Sequence, residues 1–86
     1  MNVELRPQAM EDLAWFAAND PRLLRRALKL IEATRRSPFD GIGKPEALKG
    51  ELSGWWSRRI DQQDRLVYRV TGDPQRLQIV QCRRHY

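Results

Sequence analysis

The chain has 86 residues, of which 41% are hydrophobic, which is enough for one domain with a single core but not for separate catalytic and cofactor-binding domains. Its formal net charge of +5 favours a polyanionic partner such as nucleic acid, with a merely solvated basic surface as the alternative. One cysteine and one histidine exclude an internal disulfide and a zinc site built from four such ligands, so any catalysis is expected to be metal-free.

The first forty residues carry the pattern of one strand and two helices. Alternating apolar residues over Asn2 to Arg6 predict a short strand, and Pro7 fits the first position of a helix. Asp20 and Pro21 predict the end of this helix and the start of a second one, with Asp20 as its N-cap. Apolar residues at three- and four-residue steps predict the buried faces. They are Met10, Leu13, Phe16 and Ala17 in the first helix and Leu24, Ala27, Leu28 and Ile31 in the second.

From Ser37 onward the sequence changes from a helical to an extended pattern. Closely spaced glycines and prolines over residues 37–45 predict a loop that leads into Glu46. Residues 55–60, 65–70 and 77–82 are rich in β-branched and aromatic side chains and predict three strands, with a turn at 71–74. Because these strands are short and close together, we expect an antiparallel meander. The order of elements predicts an α+β fold in which the helical hairpin covers one face of the sheet.

The uncovered face of this sheet is predicted to be basic. The candidates to line it are Arg59, Arg65, Arg69 and Arg83. Neighbours on a strand point to opposite faces, so we expect Trp55 and Trp56 to be divided between the core and the surface. The same rule separates Arg58 from Arg59.

Several of these residues have the chemistry needed to cleave RNA without a metal. Such cleavage requires a base for the ribose 2′-hydroxyl, positive charge at the phosphate and an acid for the 5′ oxygen. Glu46 is the candidate base, and Arg59 and Arg65 are candidate phosphate ligands. His85 has an ordinary pKa near neutrality, and Tyr86 can stack on a base. From the residues alone, two alternatives stay open: a surface Glu46 paired with a neighbouring lysine, and a terminal histidine that is simply solvated.

Five blocks of the sequence carry the pattern of a known family. They are Arg35 to Phe39, Gly41 to Lys49, Leu52 to Ile60, Arg65 to Tyr68 and Cys82 to Tyr86. In their order and spacing they closely resemble the YoeB/Txe toxins of the RelE-like superfamily of toxin–antitoxin ribonucleases. The differences are small: Ala47 stands where a second proline is frequent, Trp55 replaces a common phenylalanine, and two residues are added before the end.

The resemblance implies a RelE-like microbial RNase fold and an endoribonuclease that cleaves mRNA in the ribosomal A site. It implies that Glu46 is the general base, that Arg65 stabilises the charge on the phosphate, and that His85 is the general acid, with Tyr86 also in the catalytic group. The predicted substrate-binding residues are Lys44, Lys49, Arg59 and Arg83. A lysine in place of the carboxylate as proton acceptor stays open.

The resemblance also implies partners, namely a cognate YefM/Axe-type antitoxin, the 70S ribosome with its mRNA, and a second copy of the chain in a homodimer. No cofactor is implied. Since no apolar run reaches the length of a signal peptide or a membrane span, we expect a cytoplasmic protein. Two other functions are considered: a ParE-like relative that binds DNA gyrase on the same scaffold, and a non-catalytic RNA-binding module. Neither requires the carboxylate, arginine and histidine together.

Overall fold

Two helices packed on one face of a five-stranded sheet make up the structure, a computed structural model that describes residues 1–84. In chain order the elements are β1 (Asn2–Leu5), α1 (Pro7–Asn19), α2 (Pro21–Arg36), β2 (Glu46–Ala47), a 3-10 helix (Gly50–Leu52), β3 (Trp56–Arg59), β4 (Arg65–Thr71) and β5 (Arg76–Gln81). The predicted α+β fold is confirmed.

The sheet is mixed, with strand order β1-β5-β4-β3-β2. Strands β3, β4 and β5 form the expected antiparallel meander. The sequence did not reveal two edge pairings: β1 lies parallel to β5, and the two-residue β2 lies antiparallel to β3. The backbone N–H of Arg6 extends the first pairing by donating to the carbonyl of Ile79 at 2.9 Å.

The two helices are divided at the residues that the sequence indicates. Pro7 and Pro21 each occupy the first turn of a helix, where a missing N–H costs nothing. The backbone N–H of Asp20 closes α1 by donating to the carbonyl of Phe16 at 2.7 Å. Its carboxylate accepts from the N–H of Leu23 at 3.4 Å and so caps α2.

The buried faces of the helices differ from the prediction. On α1 the buried residues are Ala9, Asp12 and Phe16, and Met10 is 55% exposed. On α2 Leu30 is buried and Leu28 is 49% exposed. The predicted buried face of α1 was wrong in part because only apolar residues were counted. Asp12, a charged residue, lies on the buried side of the helix.

The core lies between the helices and the sheet. Phe16 and Leu30 meet Leu66 and Tyr68 of β4 there, together with side chains of β5. Cys82 is fully buried in the same cluster, and burial raises the pKa of its thiol to about 12. No helix within residues 1–84 is both long and apolar enough to cross a membrane.

Candidate active site

The sheet face away from the helices carries the polar strand residues. Leu66 and Tyr68 point into the core, so alternation along β4 turns Arg65, Val67 and Arg69 to the other side. Directly paired residues share a face, which extends this surface to the neighbouring strands. We call it the open face. Its central residues are Glu46, Ser57, Arg59, Arg65, Val67, Arg69 and Gln78, of which Ser57, Val67 and Gln78 are buried.

Three predicted site residues lie on adjacent strands of the open face. Glu46 pairs with Ser57, and Arg59, two residues further along β3, pairs with Arg65. Directly paired Cβ atoms lie about 5 Å apart and diagonal neighbours about 7–8 Å. The carboxylate and the two guanidinium groups therefore border one patch. The sequence placed Glu46 at the end of a loop and predicted no strand there. In the structure Glu46 belongs to β2, and pairing with β3 fixes the direction of its side chain.

The turn between β3 and β4 positions the guanidinium of Arg65. Nη1 donates to the carbonyls of Asp61 at 2.9 Å and Asp64 at 3.3 Å. The Asp61 carboxylate shapes this turn by accepting from the N–H groups of Gln63 at 2.9 Å and Asp64 at 2.7 Å. Within residues 1–84 no carboxylate forms an ion pair with Arg65, so its charge is available to an anionic ligand.

Lys44 and Lys49 are exposed on either side of β2. Lys44 has a left-handed backbone with φ of 53°. It follows Gly43, whose carbonyl accepts from the N–H of Arg59 at 2.7 Å. In the described part of the chain neither lysine forms an ion pair with Glu46, so the structure does not support the alternative of a carboxylate neutralised by its neighbours.

Arg83 does not lie on the open face, so the prediction that it lines this face is wrong. Its guanidinium carbon lies 3.5 Å from the centre of the Trp15 ring, against α1, rather than on the open face. The strand ends at Gln81, so the alternation of β5 does not continue to residue 83.

The chain after β5 runs beside Arg65. The carbonyl of Arg84 accepts from the backbone N–H of Arg65 at 3.3 Å, and the N–H of Arg84 donates to the carboxylate of Asp64 at 2.6 Å. His85 and Tyr86, the predicted acid and its neighbour, lie outside the described residues. Among residues 1–84 no group of three or more histidine, cysteine, aspartate or glutamate side chains is placed to hold a metal ion.

The comparison with known proteins identifies the family. Residues 5–86 match the model of the YoeB-like toxin of bacterial type II toxin-antitoxin system. The chain belongs to this family. Toxin YoeB of Synechocystis sp. is 49% identical over 86 residues, which cover all of this chain and 98% of that protein. The YoeB/ParE toxin from Agrobacterium tumefaciens is similar in structure, with a TM-score of 0.95 and 43% identity over the full length of both chains.

Two solved structures from Staphylococcus aureus also resemble this YoeB-like toxin. One is a heterotetrameric YoeB-YefM complex, with 39% identity and a TM-score of 0.87. The other is a YoeB dimer, with 40% identity and a TM-score of 0.86. Each of these two alignments covers all of this chain and 98% of the Staphylococcus aureus toxin chain.

One residue that holds the site of this YoeB-like toxin in place was missed at the sequence level. Arg58 is fully buried on the helix side of β3, where it donates to the carbonyls of Asp40 at 2.8 Å, Ile42 at 3.1 Å and Ser37. Its Nε also bonds the hydroxyl of Tyr68 at 3.2 Å. These bonds anchor the loop of residues 37–45 in front of β2. The signal was present, since Arg58 and Arg59 had to point to opposite faces.

Proposed function

We propose that this YoeB-like toxin is a metal-independent endoribonuclease that cleaves mRNA in the A site of the ribosome and thereby stops translation. The observation that carries the proposal is the alignment of Glu46, Arg59 and Arg65 on the open face, with Arg65 bonded to the carbonyl of Arg84. A carboxylate and two cations border one patch there. Arg84, which is hydrogen-bonded to Arg65, directly precedes His85 in the sequence.

In the proposed reaction Glu46 removes the proton of a ribose 2′-hydroxyl, and this oxygen attacks the adjacent phosphorus. Arg65 stabilises the negative charge that grows on the phosphate oxygens. His85 gives a proton to the 5′ oxygen as its bond to phosphorus breaks. The products are a 2′,3′-cyclic phosphate, which water can open, and a 5′-hydroxyl.

We assign the remaining basic residues of the site to substrate positioning. Lys44, Lys49 and Arg59 would contact phosphate groups along the mRNA, and Tyr86 would stack on a base or bond a phosphate oxygen. Arg83 is left out of this set because its guanidinium packs on Trp15. With so few groups on a small domain, the ribosome would supply part of the alignment between the 2′-oxygen and the phosphorus.

The proposed partners follow from the relatives. A cognate YefM-type antitoxin would bind the toxin and block the open face, and a second copy of the chain would form a dimer. The Staphylococcus aureus YoeB-YefM complex and YoeB dimer support these two assignments.

The proposal is tested by mapping 3′ ends on a defined mRNA bound to purified 70S ribosomes. The wild-type protein should produce new 3′ ends inside the A-site codon. Glu46→Gln and His85→Ala should each slow this cleavage by about 10²- to 10⁴-fold, the usual contribution of a general base or acid. Without new ends for the wild-type protein, the ribonuclease assignment fails.

Glu51→Gln is the matched control, because it removes an exposed carboxylate from the 3-10 helix, outside the open face. It should cleave like the wild-type protein. The competing functions predict other results. A gyrase inhibitor would block DNA supercoiling without cutting mRNA, and an RNA-binding module would stop translation equally well with Gln at position 46.

A further inference from the structure

Two buried carboxylates hold the backbone of the chain just before His85. Asp12 on α1 accepts from the N–H groups of Cys82 at 2.9 Å and Arg83 at 3.2 Å, both through Oδ2. Asp64 in the turn between β3 and β4 accepts from the N–H of Arg84 at 2.6 Å. Three consecutive N–H groups beyond the end of β5 are thus bonded to side chains instead of a neighbouring strand.

These carboxylates are built into the structure rather than placed on its surface. Asp12 is 5% exposed and Asp64 is 7% exposed. Burying a carboxylate is costly unless hydrogen bonds compensate it, and here backbone N–H groups of the tail supply such bonds. The other oxygen of Asp12 accepts from Gln8 at 2.9 Å. Within residues 1–84 neither carboxylate forms an ion pair.

The segment held in this way ends beside the proposed phosphate site. The carbonyl of Arg84 accepts from the backbone N–H of Arg65 at 3.3 Å. Arg84 also has a left-handed backbone, with φ of 70°, which a non-glycine residue rarely adopts without local hydrogen bonds. Its N–H and its carbonyl are both bonded, so the last residue before His85 is fixed relative to Arg65.

We infer that Asp64 and Asp12 are positioning residues for the proposed proton donor, His85. The inference rests on the proposed function. A group attached to a fixed point loses less conformational freedom when it reaches the leaving oxygen, and a displacement of about 1 Å can cost about 10²-fold in rate. The guanidinium of Arg65 is held separately, by the carbonyls of Asp61 and Asp64, so the two carboxylates would act on the protonation of the 5′ oxygen and not on the attack of the 2′-oxygen.

The test compares two mRNAs on purified 70S ribosomes, identical except at the cleaved linkage. One has the natural 5′ oxygen, and the other has sulfur at this bridging position. A sulfur leaving group departs as a thiolate without being protonated, since the pKa of a thiol is only about 8.5. Single-turnover rates at saturating toxin report the chemical step. Asp64→Ala should slow cleavage of the oxygen substrate by about 10²-fold and cleave the sulfur substrate as fast as the wild-type protein does.

Two further variants of the full-length chain complete the design. Asp64→Asn keeps an oxygen that can accept from the N–H of Arg84, so it should retain most of the wild-type rate on both substrates. Ile31→Val removes one methylene from the core-facing side of α2, at a side chain that forms no hydrogen bond with residues 82–84, and costs about 0.5–1.5 kcal/mol of stability. It should leave both rates unchanged, which separates lost stability from lost positioning. Asp12→Ala should repeat the pattern of Asp64→Ala.

The possible failures are distinguishable. If His85→Ala cleaves the oxygen substrate normally, the acid assigned in the proposed function is wrong, and the inference falls with it. If His85→Ala is slow on the oxygen substrate and fast on the sulfur substrate while Asp64→Ala slows both equally, the carboxylates are structural only. If Asp64→Ala does not fold, Asp64→Ser takes its place, since its shorter side chain moves the acceptor oxygen away from the N–H of Arg84. A cleavage rate of Asp64→Ser equal to that of the wild-type protein on the oxygen substrate would overturn the inference.

Discussion

Arg65 is a cation that the protein positions from one side. Its Nη1 is held by the carbonyls of Asp61 and Asp64, and its main chain bonds the carbonyl of Arg84. A planar guanidinium group fixed in this way would lose little conformational freedom on binding phosphate. A lysine has the same charge but lacks the planar set of N–H donors. For the proposed reaction we therefore expect this position to require arginine rather than lysine.

Arg65→Lys should lower the single-turnover cleavage rate on programmed ribosomes by about 10²- to 10³-fold, the usual loss when one fixed donor to a growing negative charge is removed. Arg69→Lys is the matched control on the same open face. Arg69 donates from Nε to Gln78 at 2.8 Å, and its guanidinium carbon lies 4.5 Å from the centre of the Trp55 ring, so a lysine there loses contacts within the protein rather than the proposed contact with phosphate. Equal losses for the two variants would contradict the special role of Arg65.

Arg58 and Arg59 test how the two faces of one strand differ. Arg58→Met keeps most of the side-chain volume but leaves the carbonyls of the 37–45 loop without their charged donor, at about 1–3 kcal/mol for each buried group. We expect a loss of about 3 kcal/mol or more in the free energy of unfolding, measured by urea denaturation. Arg59→Met, on the exposed side, should change it by less than about 0.5 kcal/mol. Similar losses in both would contradict the anchoring role.

At the scale of elements, the 37–45 loop sets the position of β2. Gly43 has φ of 84°, and a Cβ there would lie 2.8 Å from Cδ2 of Leu30 and 3.2 Å from Cβ of Arg58. The loop therefore approaches α2 and β3 so closely that a side chain cannot fit without displacing it. Because Glu46 follows three residues later, such a displacement would reach the site.

Gly43→Ala and Gly54→Ala separate steric overlap from backbone strain. Gly54 has a similar φ of 96° but nothing within 4 Å of its added Cβ. Both variants pay for a left-handed alanine, and Gly43→Ala should lose about 1–3 kcal/mol more from overpacking. Only Gly43→Ala should also slow cleavage on the ribosome. Equal unfolding free energies from urea denaturation would show that the loop adjusts freely.

The sequence was sufficient for the helices and the meander because their signals are local. Prolines and the Asp20 cap mark the helix starts, and the central strands alternate with period two. By contrast, β2 has two residues and no measurable period, and the parallel pairing of β1 with β5 joins segments more than seventy residues apart in the chain.

Part of the arrangement of the candidate site could be predicted. Arg59 and Arg65 share a face because they pair within the meander, whereas Glu46 joins that face through β2, an edge strand that the sequence did not reveal. Arg83 was misplaced because the pattern of β5 was extended past Gln81, where the structure shows that the strand ends. Asp12 and Asp64 were missed because their partners are backbone N–H groups, which leave no mark in a sequence.

At the scale of the whole molecule, charge is unevenly neutralised. The ion pairs within residues 1–84 join residues of the helices, the turn before α2 and the β1–β5 edge, as in Glu32 with Arg35 and Glu4 with Arg76. None of them involves Arg59 or Arg65. The net charge of +5 is thus left partly on the open face, where counterion release would favour a phosphate backbone.

The buried Asp64 should make stability depend on pH in a direction opposite to that of the surface carboxylates. Burial raises the pKa of Asp64 above its ordinary 3.8, and the charge of Asp61 adds to this, although the N–H of Arg84 and the charge of Arg83 oppose it. Its contribution to stability is complete below pH 3.8 and is lost as pH rises through the higher folded-state pKa. Glu4 and Glu32 behave in the opposite way, because arginine hydrogen bonds lower their pKa values.

The contribution of Asp64 is isolated by measuring the free energy of unfolding of the wild-type protein and of Asp64→Asn by urea denaturation, at about pH 3.5 and about pH 7. The wild-type protein should lose stability relative to the variant between the two values, and a constant difference would show that Asp64 has the same pKa in the folded and unfolded chain.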